Sequence, residues 1–382
     1  MRRLSAAFAA LAVLAGCSAP APAPLPLSAP AGTPAWNVPK GPGPAMTAVQ
    51  FDHLPGWSLD RAGEALPGFL ANCVQLLANP GQRLGGSLEA GLRGGTGAQW
   101  RPACEAARRV PANDDKAARA FFEANFQPYG LSSDGSSAGL YTGYYEPELR
   151  GSRQATRTFD VPIYRRPPGL VPGGRGSFSR AQIENGALKR KQLEILWLDD
   201  PIDSFFLHIQ GSGRVVLPDR RVVRVSYDGQ NGQSYVPIGR VLVDRGEMTL
   251  DQVSMQTIRA WLKSHPGQAR AVMNQNPSYV FFRELPGISP DEGPPGAFGV
   301  KLAPMRSIAV DKTFIPLGAP VWIDTEDPLD GTKLQRLMMA QDLGGAIRGP
   351  IRSDIFFGWG RDAEERAGRM RGKGTEYVLL PK

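Results

Sequence analysis

The chain has 382 residues, 42% hydrophobic and 21% charged, which excludes a disordered or multi-span membrane protein and suits one or two folded domains. A formal net charge of +8 fits either an anionic partner or a plain solubilising surface. The three histidines, His53, His208 and His265, have no ligand spacing, so no metal site is expected, and 45 Gly with 35 Pro favour turns and β structure over long helices.

Met1-Arg2-Arg3 is a positive leader, followed by an apolar run from Ala6 to Ala15 that is too short to span a bilayer. It ends in Leu14-Ala15-Gly16-Cys17, the pattern of a lipoprotein signal that is cut before a lipidated cysteine. Residues 1–16 are read as the signal and Cys17 as the lipidation site; an ordinary signal with an incidental cysteine is the alternative. Ser18 carries no inner-membrane retention signal, so the expected location is the periplasmic face of the outer membrane, which argues against nucleic acid as a partner. Residues 17–46 are Ala/Pro-rich and read as a tether, extended by roughly 3 Å per residue.

Apolar spacing predicts a helix over Trp57 to Leu77, with Ser58 as a candidate N-cap and Pro67 as a kink. Leu84 to Gly97 reads as a glycine-rich loop, and Asp114 to Phe126 as a second helix. Cys73 and Cys104 either form a disulfide or remain buried thiols. Gly139 to Leu149 reads as a strand in which Tyr141, Gly143 and Tyr145 share one face and Thr142 and Tyr144 the other. Its tyrosines suit either sugar stacking or core packing.

From Gly151 to about Pro286 the character changes to an inserted β-rich domain, 151–286. Ser179-Arg180-Ala181-Gln182 is a capping box. Asp203 to Gln210 alternates like a half-buried strand, Pro218 to Arg221 joins a hairpin, and Thr249 caps a helix running to about Ser264. The last block adds strands at Tyr279–Phe282, Ser307–Val310, Val321–Ile323, Leu337–Gln341 and Tyr377–Leu380, with a helix at Asp362–Ala367. Short strands and glycine turns predict a small barrel, so the fold class is α+β, mainly β.

Gly135-Ser136-Ser137-Ala138-Gly139 matches a serine-hydrolase pattern by letter but lacks the strand-to-helix context. Gln210-Gly211-Ser212-Gly213 lacks the Lys-Ser/Thr of a phosphate loop, and no cofactor is implied. Carboxylates remain. Asp342 and Asp354 sit at the edges of apolar runs joined by the Gly344-Gly345 loop. Burial and a neighbouring like charge both hold a proton on a carboxyl, as cleavage of a glycosidic bond requires of its acid. The alternative is that the two acids cap turns or pair with Arg348 and Arg352.

Several long motifs resemble the membrane-bound lytic murein transglycosylase A family: Tyr141-Thr142-Gly143-Tyr144-Tyr145-Glu146-Pro147, Gln210-Gly211-Ser212-Gly213, Tyr227 to Gly232, Asn276 to Phe282, and three aspartates matched to Asp311, Asp342 and Asp354. The resemblance implies a double-psi β-barrel (47–150 and 287–382) with an inserted second β-barrel-like domain (151–286) and a groove between them. It implies an exo-acting enzyme that cuts peptidoglycan glycan strands to 1,6-anhydromuramyl ends, with Asp354 as acid then base and Asp342 in support. Glycan contacts are expected at Thr142, Tyr144, Tyr145, Gln210, Gly211, Ser212, Gly344, Gly345 and Asp311. Two other readings stay open: an inverting muramidase using both acids, and a non-catalytic peptidoglycan-binding lipoprotein. Murein synthase or scaffold partners are not legible in the chain.

Overall fold

The computed structural model describes residues 38–86, 94–170 and 178–382. The signal, Cys17 and most of the tether lie outside them, as does part of the Leu84–Gly97 loop. The tether ends earlier than the sequence predicts, because strand β1 (Pro44–Ala48) already pairs with the body of the protein.

Three short 3-10 turns lead into helix α1 (Leu66–Ala78). Ser58 caps nothing here, and Pro67 starts the helix rather than kinking it. In the first turn a residue without an N–H loses no helix bond. Helix α2 (Arg101–Ala107), which the sequence reading missed, is tied to α1 by the Cys73–Cys104 disulfide. Helix α3 (Asp115–Asn125) is capped by Asp114, which accepts from the Ala117 N–H at 2.9 Å. Its Phe121 and Phe122 pack with Phe69 and Phe126, which in turn pack on Trp100. Strands β2 (Phe126–Ser133), β3 (Gly139–Glu146) and β4 (Glu148–Ser152) follow.

The second domain holds β5 (Val161–Tyr164), the single turn α4 (Arg180–Gln182), β6 (Glu194–Leu198), α5 (Pro201–Gln210), β7 (Ser212–Val216), β8 (Val222–Gln230), α6 (Ile238–Asp244), α7 (Met255–Ser264), α8 (Pro266–Met273) and β9 (Val280–Glu284). The capping box at Ser179 and the hairpin at Pro218 form as expected. Asp203 to Gln210 does not form a strand: it is helix α5, capped by Asp200 through the Ile202 N–H at 2.7 Å and ended by Gly211 at φ 80°. The helix is wedged between the α6–α8 cluster and the sheet, so it is apolar on most sides and loses a helical period. Thr249 caps only a 3-10 turn; Ser254 caps α7.

The chain returns through β10 (Ser307–Ala309), β11 (Pro320–Glu326), β12 (Lys333–Asp342), β13 (Arg352–Trp359), helix α9 (Gly360–Arg369) and β14 (Arg371–Pro381). Six strands close on themselves in the order β14-β11-β12-β10-β13-β3, with β14 also pairing β3, and β1-β2 extends the sheet from β14. The pairs β10–β12 and β13–β3 are parallel. The protein is α+β, with a closed barrel beside a six-stranded sheet ordered β5-β6-β4-β7-β8-β9. That sheet takes its first strand from Glu148, slightly before the expected boundary at 151, and it keeps β9.

One buried carboxylate joins the two bodies. Glu146, the last residue of β3, is fully buried and accepts from Arg214 Nε (2.9 Å) and Arg224 Nε and Nη2 (3.0 and 2.7 Å) across the junction. The same guanidiniums bind the carbonyls of Pro290 (2.6 Å) and Glu292 (2.7 Å) on the returning linker. Arg214 also stacks on Trp359 of the barrel at 4.1 Å. Both chain crossings are therefore gripped at one point, beside the cleft.

Candidate active site

The cleft between barrel and insert encloses about 940 Å³. Strand register brings the two acids to it. Ala309 on β10 is the partner of Asp342 on one side and of Asp354 on the other, so the carboxyls flank a single residue. Two strand spacings separate their backbones, about 10 Å. On its far side Asp354 pairs with Thr142 of β3. Gly143 has no side chain because a Cβ there would lie 2.5 Å from the Phe357 ring and 2.9 Å from the Ala367 backbone, so α9 packs directly on the strand.

Thr142 Oγ1 donates to Asp354 Oδ1 at 2.6 Å, and Arg352 Nη2 donates to Thr142 Oγ1 at 2.9 Å. Burial pushes the Asp354 carboxyl up to about 6; the Thr142 bond and the Arg352 charge oppose this, and Asp342 adds to it. A carboxyl at about 6 can both give and take a proton near neutral pH. Replacing Thr142 by Val keeps the shape and removes that donor. A hydrogen bond to a charged group is worth about 1.5–3 kcal/mol, roughly 1–2 pH units. The alkaline limb of the Thr142→Val rate profile should move up by about 1 pH unit with a roughly 10-fold slower rate; a profile unchanged in pH would show that Thr142 does not set the acid.

Asp342 is placed differently. Its Oδ1 accepts from the Ala297 and Leu343 N–H groups, both at 2.9 Å, and its Oδ2 from the Tyr144 hydroxyl at 2.9 Å. Burial raises its pKa against those three bonds. Asp311 anchors loops: Oδ1 takes the Thr313 N–H and Oδ2 the Gly349 N–H, each at 3.0 Å. Burial raises its pKa, but these bonds and the Arg348 charge outweigh that and leave it lowered.

Thr142, Tyr144, Gln210, Gly211, Ser212, Gly344, Gly345 and Asp311 all line the cleft with the two acids. Tyr145 does not. It is buried on the opposite face of β3, its hydroxyl donating to Glu364 at 3.2 Å and its N–H to Gln210 Oε1 at 3.0 Å. The period-2 alternation already put Tyr145 on the opposite face from Thr142 and Tyr144, so the three could not all face one cleft. Arg180, His208, Tyr235, Asn276 and Arg352 also line the cleft and were not foreseen as site residues. Asn276 lay within a quoted motif, Arg180 within a capping box, and His208 was hidden by the wrong strand assignment.

A closed barrel and a second sheet that enclose a cleft, with two buried aspartates on barrel strands lining it, define a two-domain cleft protein. A family model described as "MltA specific insert domain" matches residues 140–283, and one described as "3D domain" matches 306–380. A solved membrane-bound lytic murein transglycosylase from Agrobacterium tumefaciens superposes with a TM-score of 0.79 at 36% identity, covering 88% of this chain and 98% of that one. The chain belongs to the membrane-bound lytic murein transglycosylase A family. The Escherichia coli (strain K12) relative of that name is 37% identical over 248 residues, 63% of this chain, and the match spans 65% of the relative's length. The solved E. coli MltA with bound chitohexaose has a TM-score of 0.61 at 33% identity, covering 74% of this chain and 83% of that one.

Proposed function

We propose that the chain is a lytic transglycosylase that cleaves the β-1,4 bond between N-acetylmuramic acid and N-acetylglucosamine in peptidoglycan. The observation that carries this reading is the asymmetry of the two acids. Asp342 has both oxygens engaged by three donors, whereas Asp354 accepts one side-chain bond, on Oδ1. An inverting hydrolase needs a second carboxylate free to activate water, and Asp342 is badly placed to serve. One acid suffices when the nucleophile belongs to the substrate. Asp354 protonates the glycosidic oxygen as the bond to muramyl C1 breaks. The resulting carboxylate removes the proton from the muramyl O6, which closes on C1 and forms the 1,6-anhydro ring. Proton and electron pair balance without water. Asp342, fixed by its three donors, keeps a carboxyl beside the developing positive charge at C1 and adds to the proton affinity of Asp354.

Mass analysis of products from purified sacculi tests this. Anhydro ends, lighter by one water than hydrolytic ends, are expected; reducing muramic acid alone would sink the proposal. Sacculi retained without any release would favour the binding-only reading.

The family name supports membrane association, and no helix among the described residues is long and apolar enough to cross a membrane. We place the attachment at a lipid on Cys17, on the periplasmic face of the outer membrane. The variant Cys17→Ser should leave catalysis by the purified protein unchanged and move most of the protein from the membrane to the soluble fraction. Retention in the membrane would show that Cys17 is not the anchor.

A further inference from the structure

Alternation along a strand turns the residue before each cleft-facing acid into the barrel, and in both cases that residue is polar and buried: Gln341 before Asp342 and Ser353 before Asp354. Gln341 is tied on two sides, accepting from Ser307 Oγ at 2.6 Å and donating to Asn72 Oδ1 at 2.6 Å. Ser353 sits where the sheet gives less support. Its strand β13 starts at Arg352 and pairs with β3 from there, whereas β10 reaches only as far as the Ala309–Asp354 pair. The two residues that precede the acid therefore have a ladder partner on one side alone.

The other hold on Ser353 comes from across the barrel. Its hydroxyl donates to Glu376 Oε1 at 2.6 Å, and both residues are buried, at 0% and 1% exposure. Glu376 stands on β14. Strand β3 pairs with both β13 and β14, so this bond spans the strand between them. The second oxygen, Glu376 Oε2, is buried without a hydrogen-bond partner. Burying a carboxyl that is only half satisfied costs free energy, and an apolar side chain would fill the barrel at less cost. Stability therefore does not account for this carboxyl, but its neighbours do. Glu376 and Asp354 both lie within electrostatic reach of Arg352, whose Nη2 donates to Thr142, which in turn donates to Asp354.

We propose that Glu376 is a positioning residue for the acid: through Ser353 it fixes the start of β13, and with it the Arg352–Thr142–Asp354 chain of hydrogen bonds. Glu376 touches neither the substrate nor the reacting atoms. This rests on the reading of Asp354 as the acid and deepens it, because it names what keeps that acid aligned. A strand start held by β3 alone is free to pivot. Arg352 and Asp354 flank Ser353 in the chain, so a pivot takes both side chains away from Thr142 together. The groups within reach of the Asp354 carboxyl are Thr142, Arg352, Asp342, Tyr144 and Tyr235. Those within reach of Glu376 are Ser353, Arg352 and Tyr141. Thr142 and Arg352 are the two that lower the proton affinity of Asp354, so loss of their alignment raises it.

The test compares Glu376→Met, Glu376→Gln and Ser353→Ala in the full chain, following breakage of solubilised peptidoglycan strands across pH, whichever kind of end is formed. Glu376→Met removes the acceptor. It should lower kcat about 10-fold with KM within about 2-fold, and move the alkaline limb up, the direction expected of Thr142→Val. Glu376→Gln offers Ser353 the same acceptor oxygen and should recover most of the lost rate. Ser353→Ala should match Glu376→Met, and the two combined should cost no more than either alone, because they break the same bond. Additive losses, an alkaline limb that stays in place, or a Glu376→Gln protein as slow as Glu376→Met would overturn the assignment. If Glu376→Met does not fold, Ser353→Ala decides by the same kcat and pH readouts. Activity that persists in Asp354→Asn would refute the acid itself. An inactive Asp354→Asn beside an unshifted Glu376→Met profile would refute the positioning role alone.

Discussion

Asp354→Asn should lower turnover of peptidoglycan by roughly 10³-fold or more while preserving sacculus binding, because general acid catalysis and its return step both pass through this one carboxyl. The amide can still accept the Thr142 hydroxyl, now 2.6 Å from Oδ1, so the loss is of the proton rather than of the shape. The variant should also be more stable than the native protein at neutral pH. The folded pKa is raised from an ordinary 3.8 to about 6. Such a group favours the folded state fully below pH 3.8, and that contribution is lost as pH rises through 6. At about 1.36 kcal/mol per pH unit, the penalty removed by Asn is at most about 3 kcal/mol. Denaturant melts at pH 5 and pH 7.5, beside gel clearing, check both halves. An inactive variant that is also destabilised would point to a structural role, and near-native activity would show that another group is the acid.

The second large effect is expected at the junction. Glu146→Gln leaves Arg214 and Arg224 without their shared carboxylate at a fully buried position. Removing one partner of a buried ion pair costs about 3–5 kcal/mol, because the charges left behind have no water to solvate them. Here the loss also frees the Ser289–Glu292 linker, whose carbonyls the same guanidiniums hold. Unfolding in urea should show a lower midpoint and a domain transition that precedes loss of the barrel. Binding of chitohexaose should weaken even well below that midpoint, since the two cleft walls would no longer be held at one spacing. A single transition at the native midpoint would rule out the clamp.

The pair Asp342 and Asp354 was visible in the sequence because both sit where an apolar run meets a glycine-rich loop, and the Thr142–Tyr144 face was visible because a strand alternates. Helix α3 was legible from its apolar spacing and the Ser179 turn from its capping box, both of which are local in the chain. Helix α5 was misread because it is packed on both sides, and burial from two directions erases the period that a sequence pattern depends on. His208 was lost with it. Asp342 looked like an equal partner of Asp354 until its three donors were seen, and two of those are backbone N–H groups, at Ala297 and Leu343. Nothing in side-chain composition reports them.

The sequence by itself determined which residue types were available: the short apolar run ending in Cys17, the acids, the tyrosine-bearing strand, and the change of character near Gly151. These are properties of neighbours in the chain. Tertiary structure decided which acid keeps a free oxygen, which tyrosine faces the cleft, and which carboxyl Ser353 reaches. The register of β10 between β12 and β13 sets the two acids around Ala309, and Ser353 meets Glu376 across β3. Each outcome depends on hydrogen bonds between residues far apart in the chain, and a carboxyl takes its chemistry from those bonds and from burial.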